Sequence, residues 1–90
     1  MRRIYLDYAA ATPMDDRVVA AMKPYLSQKF YNPSAGYLAA EEIKDDITNA
    51  KRSIAALIGA KHTEIIHTSG GTESNNLAVS GIMDGFKNKK

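Results

Sequence analysis

The clearest hydrophobic period in the chain runs through Ala40, Ile43, Ile47, Ala50, Ile54 and Leu57. Spacings of three and four place these residues on one face of an amphipathic helix. Glu41, Glu42, Lys44, Asp45, Lys51 and Arg52 fall largely on the opposite, solvated face. The acidic residues come early and the basic ones late, as the helix dipole favours. Gly59 ends this helix. Val18, Val19, Met22, Tyr25 and Leu26 mark an earlier helix. It starts near Asp15 or Asp16, whose carboxylates can accept from first-turn amides, and Pro24 kinks or ends it. Leu77, Ala78, Val79, Ile82, Met83 and Phe86 mark a third. Between the second and third lies Glu64-Ile65-Ile66-His67, with adjacent rather than alternating apolar residues. That pattern predicts a short strand covered on both faces. Ile4, Leu6 and Tyr8 alternate with other residues, which predicts an extended segment near the start. Residues 27–36 read as a loop and 60–63 as a linker.

The stretch Thr68-Ser69-Gly70-Gly71-Thr72-Glu73-Ser74-Asn75-Asn76 then falls where the expected strand gives way to a helix. Such a junction gathers free backbone N–H groups and the positive end of a helix dipole, which together favour an anion such as phosphate. Gly70 and Gly71 have no Cβ, so a ligand can approach the backbone closely. The Thr72 hydroxyl can add a donor. No Gly-Lys-Ser/Thr follows, and the three-glycine dinucleotide spacing is missing, so neither of those phosphate loops is present. The plain alternative is a tight turn into a helix, with Ser69 as its cap.

The wording of the run IIHTSGGTESNNLA resembles the cofactor-phosphate loop of cysteine desulfurases, pyridoxal-phosphate (PLP) enzymes of the class V aminotransferase group. IYLDYAAATPMDDRVV resembles the opening segment of that family, YNPSAG its Asn-Pro-Ser loop, and AKRSIAALIGAKHTEII its approach to the phosphate loop. The motifs occur in the family's order and cover nearly all 90 residues. Family members commonly carry a histidine and then a glycine shortly after Asn-Pro-Ser. Here the chain continues Ala35-Gly36-Tyr37-Leu38. A family enzyme is also several times longer than this chain.

The resemblance implies a fold class of α/β: the N-terminal segment of a fold-type-I PLP transferase, mostly helical with one short buried strand leading into the phosphate loop. Residues 1–62 would form an N-terminal arm and helices, and 63–90 the start of the large PLP-binding domain. Gly71 and Thr72 would bind the PLP phosphate, with Gly70 a weaker contributor. Asn32 is a substrate-site candidate, against the simpler reading of an Asn-Pro turn. Ala9 to Thr12 are small residues that could line the substrate pocket or simply pack. Glu73 to Asn76 would serve the helix start.

The implied reaction converts L-cysteine to L-alanine. PLP acts as electron sink, and a cysteine thiolate of the enzyme takes the sulfur as a persulfide for iron–sulfur cluster assembly or thiolation. The lysine that holds the cofactor, the histidine that stacks on its ring, the aspartate facing its nitrogen and the nucleophilic cysteine match nothing here. No catalytic residue is therefore expected in this chain, which is expected to be incomplete and inactive alone. The expected partners are the remainder of the enzyme, as a second polypeptide or a missing segment, a family-type homodimer, and sulfur-acceptor or scaffold proteins. The same segment of a selenocysteine lyase or a transaminase, or a non-catalytic interaction module, remains open.

Composition is consistent with this picture. The net charge of +2 is too small to argue for nucleic acid or a membrane surface. No apolar run is long enough to span a bilayer and no signal region follows Met1-Arg2-Arg3, so a cytoplasmic location is expected. The chain contains no cysteine, which excludes disulfides and a cysteine nucleophile within it. His62 and His67 have no second ligand at metal spacing. Lys61-His62 reverses the family's His-Lys order, and His67 stands where the family usually has a larger apolar residue. Both histidines read as structural.

Overall fold

The computed structural model describes residues 1–87. The helices are α1 (Asp16–Met22), α2 (Leu38–Ile58) and α3 (Gly71–Gly85), with 3-10 turns at Lys23–Leu26 and His62–Glu64. The chain forms two compact units, Met1–Ile47 and Thr48–Lys90. No helix among the described residues is long and apolar enough to cross a membrane.

The α/β expectation is corrected: among the described residues there is no β-strand, and the fold is mostly helical. Ile65 does have extended dihedrals, φ −93° and ψ 123°. A strand, however, is defined by a ladder of hydrogen bonds to a neighbouring segment. No described backbone hydrogen bond joins residues 65–68 to a second extended segment. Burial differs too: Ile65 is half-buried and Ile66 is 68% exposed, so the run is not covered on both faces. The adjacent isoleucines give extended geometry without a sheet.

In the first unit the helix signals act as expected. Asp15 caps α1, its Oδ1 accepting the Arg17 N–H at 2.8 Å. The Arg17 side chain also donates to Asp15 and holds its carboxyl below the usual range. α1 stops at Met22, and Pro24 sits in the 3-10 turn that follows. Tyr5 donates its hydroxyl to the carbonyls of Asp7 at 2.8 Å and Ala11 at 2.9 Å, closing the N-terminal turn. The Ala9–Thr12 region is exposed.

The second unit begins within α2. Gly59 follows the last helical residue at φ +68°, a left-handed conformation that favours glycine. The Ala60 N–H then reaches back to the Ala55 carbonyl at 2.9 Å, which satisfies an end carbonyl of α2. Lys61 donates its N–H to Glu64 Oε2 at 2.7 Å, and the Glu64 N–H returns to the Lys61 carbonyl at 2.9 Å. This reciprocal pair shapes the turn into the extended run.

Only part of the α2 stripe is buried. Ala40 and Ile43 are inside, while Leu57 is 87% exposed. Ala55, one residue off the stripe, is the third buried hydrophobic residue among those described. One buried isoleucine contributes about 1.5–3 kcal/mol. With two alanines, that is little fully buried apolar surface for a helix of 21 residues. The helices therefore rest mainly on their own hydrogen bonds and end signals.

A consequence can be measured on the 90-residue chain alone. Circular dichroism should show helix, and heating should melt it gradually over a broad range. A sharp two-state transition of a monomer with dispersed amide resonances would show instead that this core is sufficient.

Candidate functional site

The loop at residues 68–70 and the first turn of α3 form the site. Helix geometry leaves the amides of Gly71, Thr72 and Glu73 without an intrahelical acceptor. The first bond of the helix runs from the Ser74 N–H to the Gly70 carbonyl at 3.1 Å. No described hydrogen bond takes the three amides before it, or the Thr72 hydroxyl, and all of these residues are exposed. With the dipole of a 15-residue helix behind them, these groups make a positive end that suits an anion.

The glycines at this end are not demanded by the chain itself. Gly70 is at φ 166° and ψ −175°, extended backbone that any residue adopts. Gly71 is helical and has no positive φ. A Cβ added at either would meet nothing within 4 Å. What the pair leaves is open space beside free amides.

Two side-chain ties brace the loop. The Ser69 N–H and hydroxyl both donate to Glu73 Oε2, at 3.2 and 2.5 Å. The Ser69 hydroxyl, with its N–H second, holds the Glu73 carboxyl below its usual range. Ser69 is therefore the donor to a helix residue. The N-cap position belongs to Gly70, which has no side chain to cap with. The Thr68 hydroxyl lies 2.6 Å from the Ser74 hydroxyl and also donates to the Gly70 carbonyl at 3.1 Å. Glu73 is the acidic residue of the first turn, and its charge is engaged by Ser69. The sequence spacing Ser-x-x-x-Glu could have signalled this tie; the Thr68–Ser74 contact, across the turn, has no such periodic mark.

Gly70, Gly71 and Thr72 thus share one turn of the second unit. Asn32 belongs to the first unit. Its Oδ1 accepts the Ser34 N–H at 2.9 Å and its carbonyl accepts the Ala35 N–H at 3.1 Å, so it organises its own turn while staying exposed. His62 sits half-buried in the 3-10 turn and His67 is exposed in the extended run. Among the described residues no group of histidines and carboxylates could hold a metal ion. An open groove of about 520 Å³ lies alongside, lined by Ile66, Thr68, Ser74, Leu77 and Ile82 among others. Gly70, Gly71 and Thr72 do not line it, and its walls are largely apolar, so it is not the anion site.

The sequence matches the aminotransferase class-V family over residues 4–90. Among curated proteins it is similar to cysteine desulfurase IscS of Dictyoglomus turgidum, at 50% identity over 88 residues and 98% of this chain. It is likewise similar to cysteine desulfurase IscS of Rickettsia bellii, at 51% over 88 residues and 97% of this chain. In each case the alignment covers 22% of the relative, so the chain spans about a fifth of the length of the curated relatives it matches. No solved structure matches the chain significantly.

The Ser69–Glu73 tie has a checkable pH dependence. The Glu73 carboxyl is depressed in the folded state, so the tie stabilises the loop above the ordinary glutamate range. It is lost as pH falls through the lowered value. A side-chain carboxyl NMR titration should place the Glu73 midpoint below the ordinary glutamate range, and Ser69→Ala should bring it back up. A midpoint that Ser69→Ala leaves in place would remove the tie.

Proposed function

The chain belongs to the aminotransferase class-V family, and from that premise we propose that it is the cofactor-anchoring part of a cysteine desulfurase. Membership of this family implies PLP as the cofactor of the complete protein. The observation that carries the reading is the start of α3. Three free amides, the Thr72 hydroxyl and the cleared space at Gly70 and Gly71 fall within the stretch whose sequence resembles the family's phosphate loop, which supports the reading. These residues fit a phosphate group: they offer donors, leave room, and keep the nearest first-turn carboxylate tied to Ser69.

In the complete enzyme, the Gly71 and Thr72 amides and the Thr72 hydroxyl would hold the PLP phosphate, with Gly70 giving access. When bound, PLP supplies an electron sink that lets the carbon–sulfur bond of L-cysteine break, with L-alanine formed and sulfur passed on as a persulfide. The roles of this chain are to bind and orient. It has no cysteine, so the sulfur-accepting thiol would come from another part of the assembly. That part, as a further segment or a second polypeptide, would also supply the lysine, histidine and aspartate that such an enzyme needs. A family-type homodimer and acceptor proteins for the sulfur complete the proposed assembly, in the cytoplasm. Asn32 is proposed to approach the substrate through its side-chain amide, since its oxygen is taken by Ser34.

Two measurements test this. In an assembled enzyme, Thr72→Val removes a hydrogen bond to a charged group, worth about 1.5–3 kcal/mol, so PLP retention on dialysis should fall roughly tenfold or more. Gly71→Asp should be worse, because it places a negative charge beside the phosphate. If both variants keep PLP as the wild type does, the loop is not the phosphate anchor. Separately, the 90-residue chain mixed with PLP and cysteine should release no alanine. Alanine release that persists after purification would show that the chemistry lies within these residues.

A further inference from the structure

Three side chains that the phosphate site does not use meet in the first unit. The Tyr25 hydroxyl donates to Asp46 Oδ2 at 2.6 Å, and Lys29 Nζ lies 3.3 Å from the same oxygen. Lys29 Nζ also stands 5.5 Å from the centre of the Tyr25 ring. Tyr25 lies in the 3-10 turn after α1, Lys29 in the loop that follows, and Asp46 on α2. The hydrogen bond spans 21 positions of sequence, so it fixes a non-local distance. As an ion pair alone the contact would fix little, because both charges are partly exposed and screened. The short bond from the rigid phenol is what sets the geometry.

The loop between these anchors is built around aromatic rings. Phe30 stacks on Tyr31 with centroids 4.5 Å apart, and Tyr31 meets Tyr37 edge-on at 6.0 Å. Tyr37 directly precedes α2. Asn32 turns the chain between those rings. The loop is thus held at its entry by the polar triad and internally by the aromatic stack.

We propose that Asp46 is a positioning residue: its charged carboxylate latches Tyr25 and Lys29 onto α2 and so sets the geometry of the loop that carries Asn32. The latch stands on the first unit alone and does not depend on what Asn32 binds. The charges agree with it. Hydrogen bonds from Tyr25 and then Lys29 lower the Asp46 carboxyl, while the bond to Asp46 raises both the Tyr25 phenol and the Lys29 amine. Glu42, also on α2, adds to the Lys29 effect, and Lys29 partly opposes the rise of Tyr25. The signs give a window. Below the lowered Asp46 value the acceptor is protonated and the latch opens; above the raised Tyr25 value the donor is lost and it opens again.

The test uses the 90-residue chain, its five tyrosines and two spectra. In an ultraviolet phenolate titration the wild type should contain a component above the ordinary tyrosine range. Tyr25→Phe should remove that component and Asp46→Asn should shift it back. Ring-to-ring nuclear Overhauser effects among Phe30, Tyr31 and Tyr37 should report the stack. That signal should fall several-fold in Tyr25→Phe and Asp46→Asn and be largely restored in Asp46→Glu, with far-ultraviolet helix retained throughout. Tyr25→Phe removes one oxygen atom, so it separates the latch from a folding defect. A wild-type titration without the raised component, or a stack signal that both variants leave intact, would overturn the proposal.

Discussion

A helix cannot satisfy the amides of its own first turn, and the second unit is arranged around that fact. At α3 the chain meets the constraint in an unusual way. The position that would normally carry a capping hydroxyl is Gly70, and the hydroxyl one residue earlier turns its donor toward Glu73. The helix's own carboxylate is thereby spent on the loop. The amides of Gly71, Thr72 and Glu73 are left for something outside the described chain. The left-handed stop at Gly59 and the reciprocal Lys61–Glu64 turn serve to deliver the backbone to this point in extended form.

The same economy runs through both units. With Ala40, Ile43 and Ala55 as the buried hydrophobic residues, apolar burial cannot specify the local shapes. Short polar ties do so instead: Tyr5 across its turn, Asp15 to Arg17, Asn32 to Ser34, Tyr25 to Asp46, Ser69 to Glu73. Most of these reach only two to six positions along the chain. They fix turns and helix ends without requiring a core. The large exposed side chains Ile66, Leu77, Val79 and Ile82 are what such a chain leaves available for burial elsewhere. That is consistent with a place in a longer family assembly.

What could be read from the sequence divides along the same line. Asp15, Pro24 and Gly59 act through bonds to their near neighbours, and each begins or ends a helix where its chemistry requires. The start of the third helix was legible because its apolar residues recur at helical spacing directly after the glycine pair, and α3 begins at Gly71. Ile65 and Ile66 misled because a strand is a property of two segments, and adjacent apolar letters specify only one. The plain alternative, a turn with Ser69 as its cap, meets a different outcome: Gly70 holds the cap position and Ser69 donates to Glu73 instead. The Tyr25–Asp46 bond was not legible at all: no periodicity links positions 21 apart, and neither residue belongs to a motif that would pair them.

Gly59 and Gly71 show why the site has to be argued from what binds there. A Cβ at either position meets open space, so packing explains neither. Gly59 is explained by its positive φ, which a side chain would strain by roughly 1–2 kcal/mol. Gly71 has no positive φ, and as the first residue of α3 it escapes the cost that glycine carries in a helix interior. What the residue leaves is room: with no Cβ there, a ligand can come close to the first-turn backbone. Gly71 is therefore left free by the fold, and that openness is compatible with the proposed phosphate contact.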